Sequence, residues 1–319
     1  MSQFLKSLIL VFCLSVLETS CEKPYPRERD CKCGKEDVSS RIIGGTKASQ
    51  NYPWIIQIFV EVPETTDTNL CSGTIISNKY VLTAGHCFVH DENGKSTKIP
   101  KSNIKVSILN AKDKWSLSDI RSGKIELKNN EINKIIIHEK FSIEKSGAIV
   151  NDIALVKFKK DFSKILEQQN KPRKFMPICL PMNQSKYVNR EASIIGWGLL
   201  DFKNKSSIAF DGLKEAKVNI LSNQDKRCKK IVFSNSDPSK ILCAYRENYD
   251  ACEGDSGGPL MLKTRFPHVG MRYSIIGIVS YGLKCGVREQ AGVYTRISGY
   301  LNWIQEHSKG GLCNAKNES

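Results

Sequence analysis

No stretch beyond the N-terminus is apolar for long enough to cross a bilayer, which takes about 20 residues, so the body of the chain contains no membrane span. Cysteines at C-x-x-C spacing are missing and the 5 histidines are scattered. A zinc site is therefore not expected, and no cofactor is expected. Internal repeats and low-complexity blocks are lacking, which excludes solenoid and linker-like chains. Carboxylates are in deficit, with 33 Asp+Glu against 48 Lys+Arg and a formal charge of +15. No nucleic-acid-binding motif accompanies that excess, so nucleic acid is not an expected partner. The hydrophobic share of 40% and charged share of 25% are those of a globular protein and exclude a wholly disordered, collagenous or multi-span chain.

What the chain does have is cysteine. Twelve in 319 residues are too many for casual cytosolic use and too few to replace a core, which points to an oxidising compartment. The N-terminus agrees. Lys6 precedes a short apolar run, Ser7 to Leu17, with Thr19 and Ser20 after it, the pattern of a secretory signal over 1–20. Cys13 leaves with that signal, so the secreted chain carries an odd number of cysteines.

Residues 21–41 are charged, contain Pro24, Pro26 and three cysteines, and show neither a helical nor a strand period, so they form an extended segment without a core. From Ile42 the pattern changes to short β-branched runs bounded by Gly, Asn, Asp or Pro: 54–62, 73–77, 80–83, 104–109, 132–138, 153–158, 192–196, 273–281 and 292–297. This spacing predicts an all-β sandwich or barrel. The one helix expected is 298–308, capped by Ser298, with Tyr300, Trp303, Ile304 and His307 on one face and Gly310 and Gly311 ending it. Residues 308–319 are a polar tail. Segments 88–103, 110–131, 139–150 and 199–212 read as long polar loops, and Asn183 and Asn204 stand in sequons that are plausible glycan sites.

Three motifs carry chemistry. TAGHC (83–87) places His86 at the end of a strand-like run, NDIAL (151–155) places Asp152 at the start of another, and GDSGGP (254–259) sets Ser256 among three glycines. Each alone is ordinary. In the order His, Asp, Ser on an all-β secreted chain, they resemble the trypsin-like serine proteases of the chymotrypsin family, over residues 42–307. The resemblance implies two six-stranded antiparallel Greek-key β-barrels with a C-terminal α-helix. It implies Ser256 as nucleophile, His86 as base then acid, and Asp152 as the group that orients the imidazole and stabilises its charged form. A serine hydroxyl needs such help, because it is a poor nucleophile until a neighbouring imidazole takes its proton. The backbone N–H groups of Gly254 and Ser256 are the implied oxyanion donors.

RIIGG (41–45) extends the resemblance. A cut after Arg41 creates an ammonium at Ile42, which in this family turns inward to pair with the acid before the nucleophile, here Asp255. Before the cut that carboxylate lacks its cation, so the chain reads as a zymogen with 21–41 as its activation segment. Asp250 matches the floor of the primary pocket, with Ala251 beside it, Ser280 and Tyr281 along it, and Gly282 and Gly292 as small wall positions. Cleavage after Arg, and less readily Lys, is the implied specificity, because Ala251 lacks the hydroxyl that a lysine ammonium would use.

By family position Cys71 pairs with Cys87, Cys228 with Cys243, and Cys252 with Cys285. Cys179 matches the cysteine that holds the activation segment, with Cys33 its partner, and Cys21, Cys31 and Cys313 are left over. A bridge common in digestive members would need cysteines near Ala192 and Leu262. Gly85 stands where alanine is commoner and is read as tolerated. The family's calcium loop is lysine-rich here, so calcium is not expected. The partners implied are protein or peptide substrates with Arg or Lys before the cut, an activating trypsin-like protease and protein protease inhibitors. The charge of +15 admits an anionic partner such as heparan sulfate, an acidic substrate or a lipid surface, although solubility explains it more economically. The alternative function is a catalytically inactive homologue acting as a binding module.

Overall fold

The computed structural model describes residues 32–35, 52–63, 65, 68–92, 95–107, 114–116, 131–168, 176–182, 186–198, 209–232, 237–247, 251, 254–266, 270–282, 288–308 and 312. The expectations for Arg41, Ile42, Asp250, Cys252, Cys285, Asn183, Asn204, Cys21, Cys31 and Cys313 lie outside these residues.

Six strands make a first sheet: β1 (Ile55–Glu61), β2 (Thr68–Ile75), β3 (Tyr80–Thr83), β4 (Ile104–Ser107), β5 (Ile132–Ile137) and β6 (Ala154–Phe158). Six more make a closed barrel: β7 (Glu191–Gly196), β8 (Lys214–Leu221), β9 (Ile241–Tyr245), β10 (Pro259–Phe266), β11 (Gly270–Tyr281) and β12 (Gly292–Arg296). The orders are β4-β1-β2-β3-β6-β5 and β7-β8-β9-β12-β11-β10, with β10 returning to β7. Counted from its own first strand, each set follows the same ring, in which the fourth strand lies beside the first as in a Greek key. At the two ends of the first set, Lys101 Nζ on the 3-10 turn before β4 donates to the Asn133 carbonyl of β5 at 3.1 Å. Both six-stranded units are antiparallel and barrel-like, as the sequence led one to expect.

Strands buried on both faces read as largely apolar runs, and this is the pattern of β1 and β3, whose residues 55–60 and 80–83 are all buried, with Gln57 and Thr83 the polar members. Three strands escaped the sequence reading. β8 opens on charged residues, β9 is short, and β10 begins with Pro259, a position that proline tolerates because it needs no ladder N–H. Two short helices were also unexpected, α1 (Phe162–Gln168) and α2 (Lys226–Lys229). The terminal helix α3 spans Leu301–Ser308, three residues later than the cap pattern suggests, because Ile297–Gly299 form a 3-10 turn. Ser298 does not cap it; its hydroxyl accepts from Arg296 Nε at 2.9 Å. Within 88–103, expected as loop, Val89–Glu92 pairs with Lys95–Lys98 as a hairpin. Two other expected loops meet, where Lys114–Ser116 pairs with Ala209–Asp211.

One apolar cluster runs through both units, joining Ile56, Val81 and Leu155 to Ile195, Met261 and Ile278. The Trp54 indole N–H points at Met261 Sδ, 3.2 Å away, across that seam. The far end of the first unit is closed by α1, where the buried Phe162 ring lies 4.6 Å from Phe158. Helix α3 reaches back to the first unit, with Trp303 Nε1 donating to Glu139 Oε2 at 2.8 Å and His307 3.0 Å from Glu139 Oε1.

Three disulfides join Cys33 to Cys179, Cys71 to Cys87 and Cys228 to Cys243. Around the first, Gly34 N–H donates to the Pro177 carbonyl and the Gly34 carbonyl accepts from Tyr273 N–H, both at 2.8 Å. Gly34 sits at φ +63, and a Cβ there would stand 2.2 Å from the Tyr273 oxygen, so only glycine fits. Ala192 and Leu262 pack within one apolar cluster of the second barrel. Among the described residues no helix is long and apolar enough to cross a membrane.

Phe162→Ala removes a fully buried ring and should lower the unfolding free energy by about 3–5 kcal/mol, read as a fall in the denaturant midpoint. Met271→Ala, at an exposed site, should stay within about 0.5 kcal/mol.

Candidate active site

Strands β3 and β6 run antiparallel with Thr83 opposite Ala154. This register brings the turn that follows β3 beside the residues that precede β6. His86 opens that turn, and Asp152 lies 2% exposed next to it. The carboxylate takes both donors His86 offers: the backbone N–H to Oδ1 at 2.9 Å and the ring Nδ1 to Oδ2 at 2.8 Å. A carboxylate only accepts, so Nδ1 carries the proton and Nε2 keeps its lone pair. A third donor is Ser280 Oγ, 2.5 Å from Oδ2. Its position follows from the backbone, because the β11–β12 ladder slips between Val279 and Tyr281 and frees Ser280 from regular pairing.

Burial pushes the Asp152 pKa up, but the His86 charge and the hydrogen bonds from His86 and Ser280 outweigh it and hold the carboxyl below its ordinary value. Burial likewise pushes His86 down, and the Asp152 charge and hydrogen bond more than offset it, leaving the imidazole above 6.5. Asn151 turns the chain into this position at φ +51. Its side chain is fixed by three bonds: to the Lys140 carbonyl at 2.6 Å, and from the Tyr300 hydroxyl and Lys240 Nζ at 3.1 and 3.2 Å.

The loop carrying Ser256 is stitched to both units. Ser72 N–H of β2 donates to the Ser256 carbonyl at 2.6 Å, and Ser72 Oγ to the Gly254 carbonyl at 3.1 Å. On the other side Gly257 N–H donates to the Val279 carbonyl, and Val279 N–H to that of Gly258, each at 2.9 Å. Gly254 and Gly257 adopt φ +95 and +79. A Cβ at Gly257 would stand 2.1 Å from Thr83 Oγ1 and 2.4 Å from the Ser72 carbonyl, so glycine here is what lets the serine loop press against the first unit. Cys87 Sγ lies 4.0 Å from His86 Nε2 and 4.0 Å from the Ser256 carbonyl oxygen, which brings the histidine and serine segments to a single atom.

The Asp255 carboxylate packs against the 196–198 segment. Its Oδ1 accepts from Gly198 N–H at 2.8 Å, and a Cβ at Gly196 or Gly198 would come within 2.0 and 2.4 Å of its oxygens. Sequence reasoning missed these two glycines, although the G-W-G triplet 196–198 marks a close backbone approach. Gly85 also has a reason, since the space of an alanine methyl holds the Phe141 ring, 2.8 Å from that point. Of the expected pocket residues, Ala251 packs against the second-barrel cluster. Gly292 is buried opposite Ala244, Tyr281 is half-buried, and a Cβ at Gly282 would meet nothing within 4 Å.

Cys71, His86 and Cys87 sit close enough together to suggest a metal site. Both cysteines are spent in one disulfide and offer no thiolate, so the cluster does not bind metal through sulfur. His86 and His90 stand four residues apart, but on a 3-10 turn and the strand after it rather than on one helical face.

Two β units of identical winding thus bring together an Asp–His pair and a glycine-flanked serine loop. The trypsin family model matches residues 42–304, and the chain belongs to that family of serine proteases. It is 34% identical to coagulation factor XI of Bos taurus over 86% of this chain and 39% of that protein. It is 33% identical to the urokinase-type plasminogen activator of Gallus gallus over 92% of this chain and 63% of that protein. It is 32% identical to venom serine protease 34 of Apis mellifera, over 89% and 63%. The chain thus spans less than two thirds of each of these relatives.

The balance at His86 is directly measurable. Its NMR titration midpoint should lie above 6.5 in the native chain and below it in Asp152→Asn, where burial still acts and the attraction is gone.

Proposed function

We propose that the chain is the secreted zymogen of a serine endopeptidase, with Ser256 as nucleophile, His86 as general base and then acid, and Asp152 as the orienting anion. The observation that carries this reading is the bidentate hold of Asp152 on His86, with the Ser256 main chain packed against the same Cys87 sulfur as the imidazole. A neutral Nε2 facing the serine segment accepts the hydroxyl proton as Ser256 attacks the scissile carbonyl. The imidazolium so formed is stabilised by the Asp152 charge and passes the proton to the leaving amine. The N–H groups of Gly254 and Ser256 stabilise the developing oxyanion. The left-handed Gly254 supports that role, because it lets the loop turn its amides to one side.

Asp250, Ala251, Ser280, Tyr281, Gly282 and Gly292 form the primary pocket in this reading, which accepts Arg in preference to Lys. The open space at Gly282 and the absence of a side chain at Gly292 favour a long side chain entering between them. Activation follows a cut after Arg41, when the Ile42 ammonium reaches Asp255 behind the cleft. The close fit of Gly196 and Gly198 around that carboxylate supports a fixed position for it. The Cys33–Cys179 bridge holds the activation segment to the second barrel after that cut and favours limited proteolysis of protein targets over digestion. Asn183 and Asn204 would carry glycans, and protein inhibitors would occupy the same cleft.

Three outcomes test the proposal. A fluorophosphonate should label Ser256 once the chain is cut after Arg41, whereas an unlabelled serine would identify an inactive binding module. Arg41→Gln should be secreted folded and inert, and turnover by the uncut variant would refute the zymogen assignment. Activity of the cut enzyme should also fade at alkaline pH. A free α-amino group titrates near about 8, pairing with Asp255 raises that value, and activity is lost as pH climbs through the raised pKa; a flat profile to high pH would contradict the ion pair.

A further inference from the structure

Outside the cleft, lysines gather on the outer face of β5 and β6. Lys134 and Lys157 are direct cross-strand partners in that ladder. Like charges set opposite each other destabilise a sheet, so the pair works against the fold it belongs to. Neither has a carboxylate within ion-pair distance among the described residues, and the local acids are already engaged, Asp161 with Lys79 at 3.5 Å and Glu131 with Lys160 at 3.2 Å. The Lys157 ammonium instead lies over the Tyr80 ring, 5.7 Å from its centre. Lys101 is bound to the carbonyl of Asn133, next to Lys134, and the exposed Lys159 and Lys164 extend the cluster past the end of β6.

Protection of a sheet edge accounts for a lysine on β5, which ends the hydrogen-bonded order. It does not account for Lys157, whose strand is paired on both sides. Solubility would be served as well by lysines out of register. A protein partner fits poorly, since protein interfaces deplete lysine and need an apolar centre, while the exposed large apolar side chains among the described residues, Met182, Val188 and Met271, all lie elsewhere in the chain. Flexible ammonium groups on a flat, solvated face suit an extended chain of dense negative charge.

We infer that the β5–β6 face, centred on Lys134 and Lys157, is a docking surface for a sulfated glycosaminoglycan. The choice of a glycan rests on the secreted reading above; the charged surface itself does not depend on the chemistry of the cleft. Lys157 lies five residues along the chain from Asp152, at most about 17 Å for an extended strand.

The test measures binding of a heparin octasaccharide to the full secreted chain at low and at physiological salt. Wild type should bind, and affinity should weaken as salt screens the contact. Lys134→Ser/Lys157→Ser should bind on the order of tenfold more weakly, each lysine near an anionic surface contributing several-fold. Lys229→Ser/Lys230→Ser, two exposed lysines at α2, should bind as wild type. Thermal midpoints of both variants report that they are folded, and relief of the opposed charges should leave the first at least as stable as the parent. Equal binding by wild type and the first variant, equal losses in both variants, or no binding by wild type would overturn the inference. So would undiminished binding of a desulfated octasaccharide, or binding to phosphatidylserine vesicles in place of the glycan. Fluorophosphonate labelling of Ser256 in the same preparations, after a cut at Arg41, reads the catalytic proposal independently.

Discussion

The structure turns on one buried carboxylate. Asp152 lies almost wholly out of water, where an anion without partners would be intolerable, and it is surrounded by donors from distant parts of the chain. His86 comes from the turn after β3, Ser280 from the irregular register of β11, and Thr295 of β12 donates to its own carbonyl at 2.7 Å. Two of these donors belong to the second unit and one to the first. Asp152 therefore fastens the units together at the cleft, through its carboxylate and its carbonyl, and its bond to His86 Nδ1 sets the tautomer of the imidazole.

A second constraint comes from backbone. The serine loop touches β2 through Ser72 and β11 through Val279, and it does so only because Gly257 has no side chain. Gly257 and Gly258 after Ser256, Gly196 and Gly198 around Asp255 and Gly34 beneath Tyr273 share this logic, since at each a single carbon would collide with a neighbouring atom. Flexibility is not what these positions supply; they supply proximity, and with it a cleft built from main chain.

Much of this was legible in the sequence because periodicity and punctuation are local. Runs such as 80–83 and 192–196 announce strands by their own composition, and they appear within a residue of where they were expected. Where the local signal is weak the reading failed. β8 begins Lys-Glu-Ala-Lys and gains its place only from ladders to β7 and β9. The onset of α3 was misjudged because Ser298 has a nearer partner in Arg296 than the helix N-terminus. The candidate site was legible through motif order, but Asn151, Gly196 and Gly198 were not singled out, since their importance lies in contacts with residues far along the chain. The opposed lysines of β5 and β6 could not be read either, because register is a property of the pair and not of either strand.

The bond between Cys33 and Cys179 has a consequence for how the molecule ages. Cys179 belongs to the segment that bridges the two units, whereas Cys33 lies upstream of the first strand. Any scission of the main chain between Gly34 and Tyr52 therefore frees no fragment. The severed piece stays aboard as a stoichiometric passenger for as long as the sulfurs remain oxidised, and a mildly reducing milieu would act as a clock for its departure.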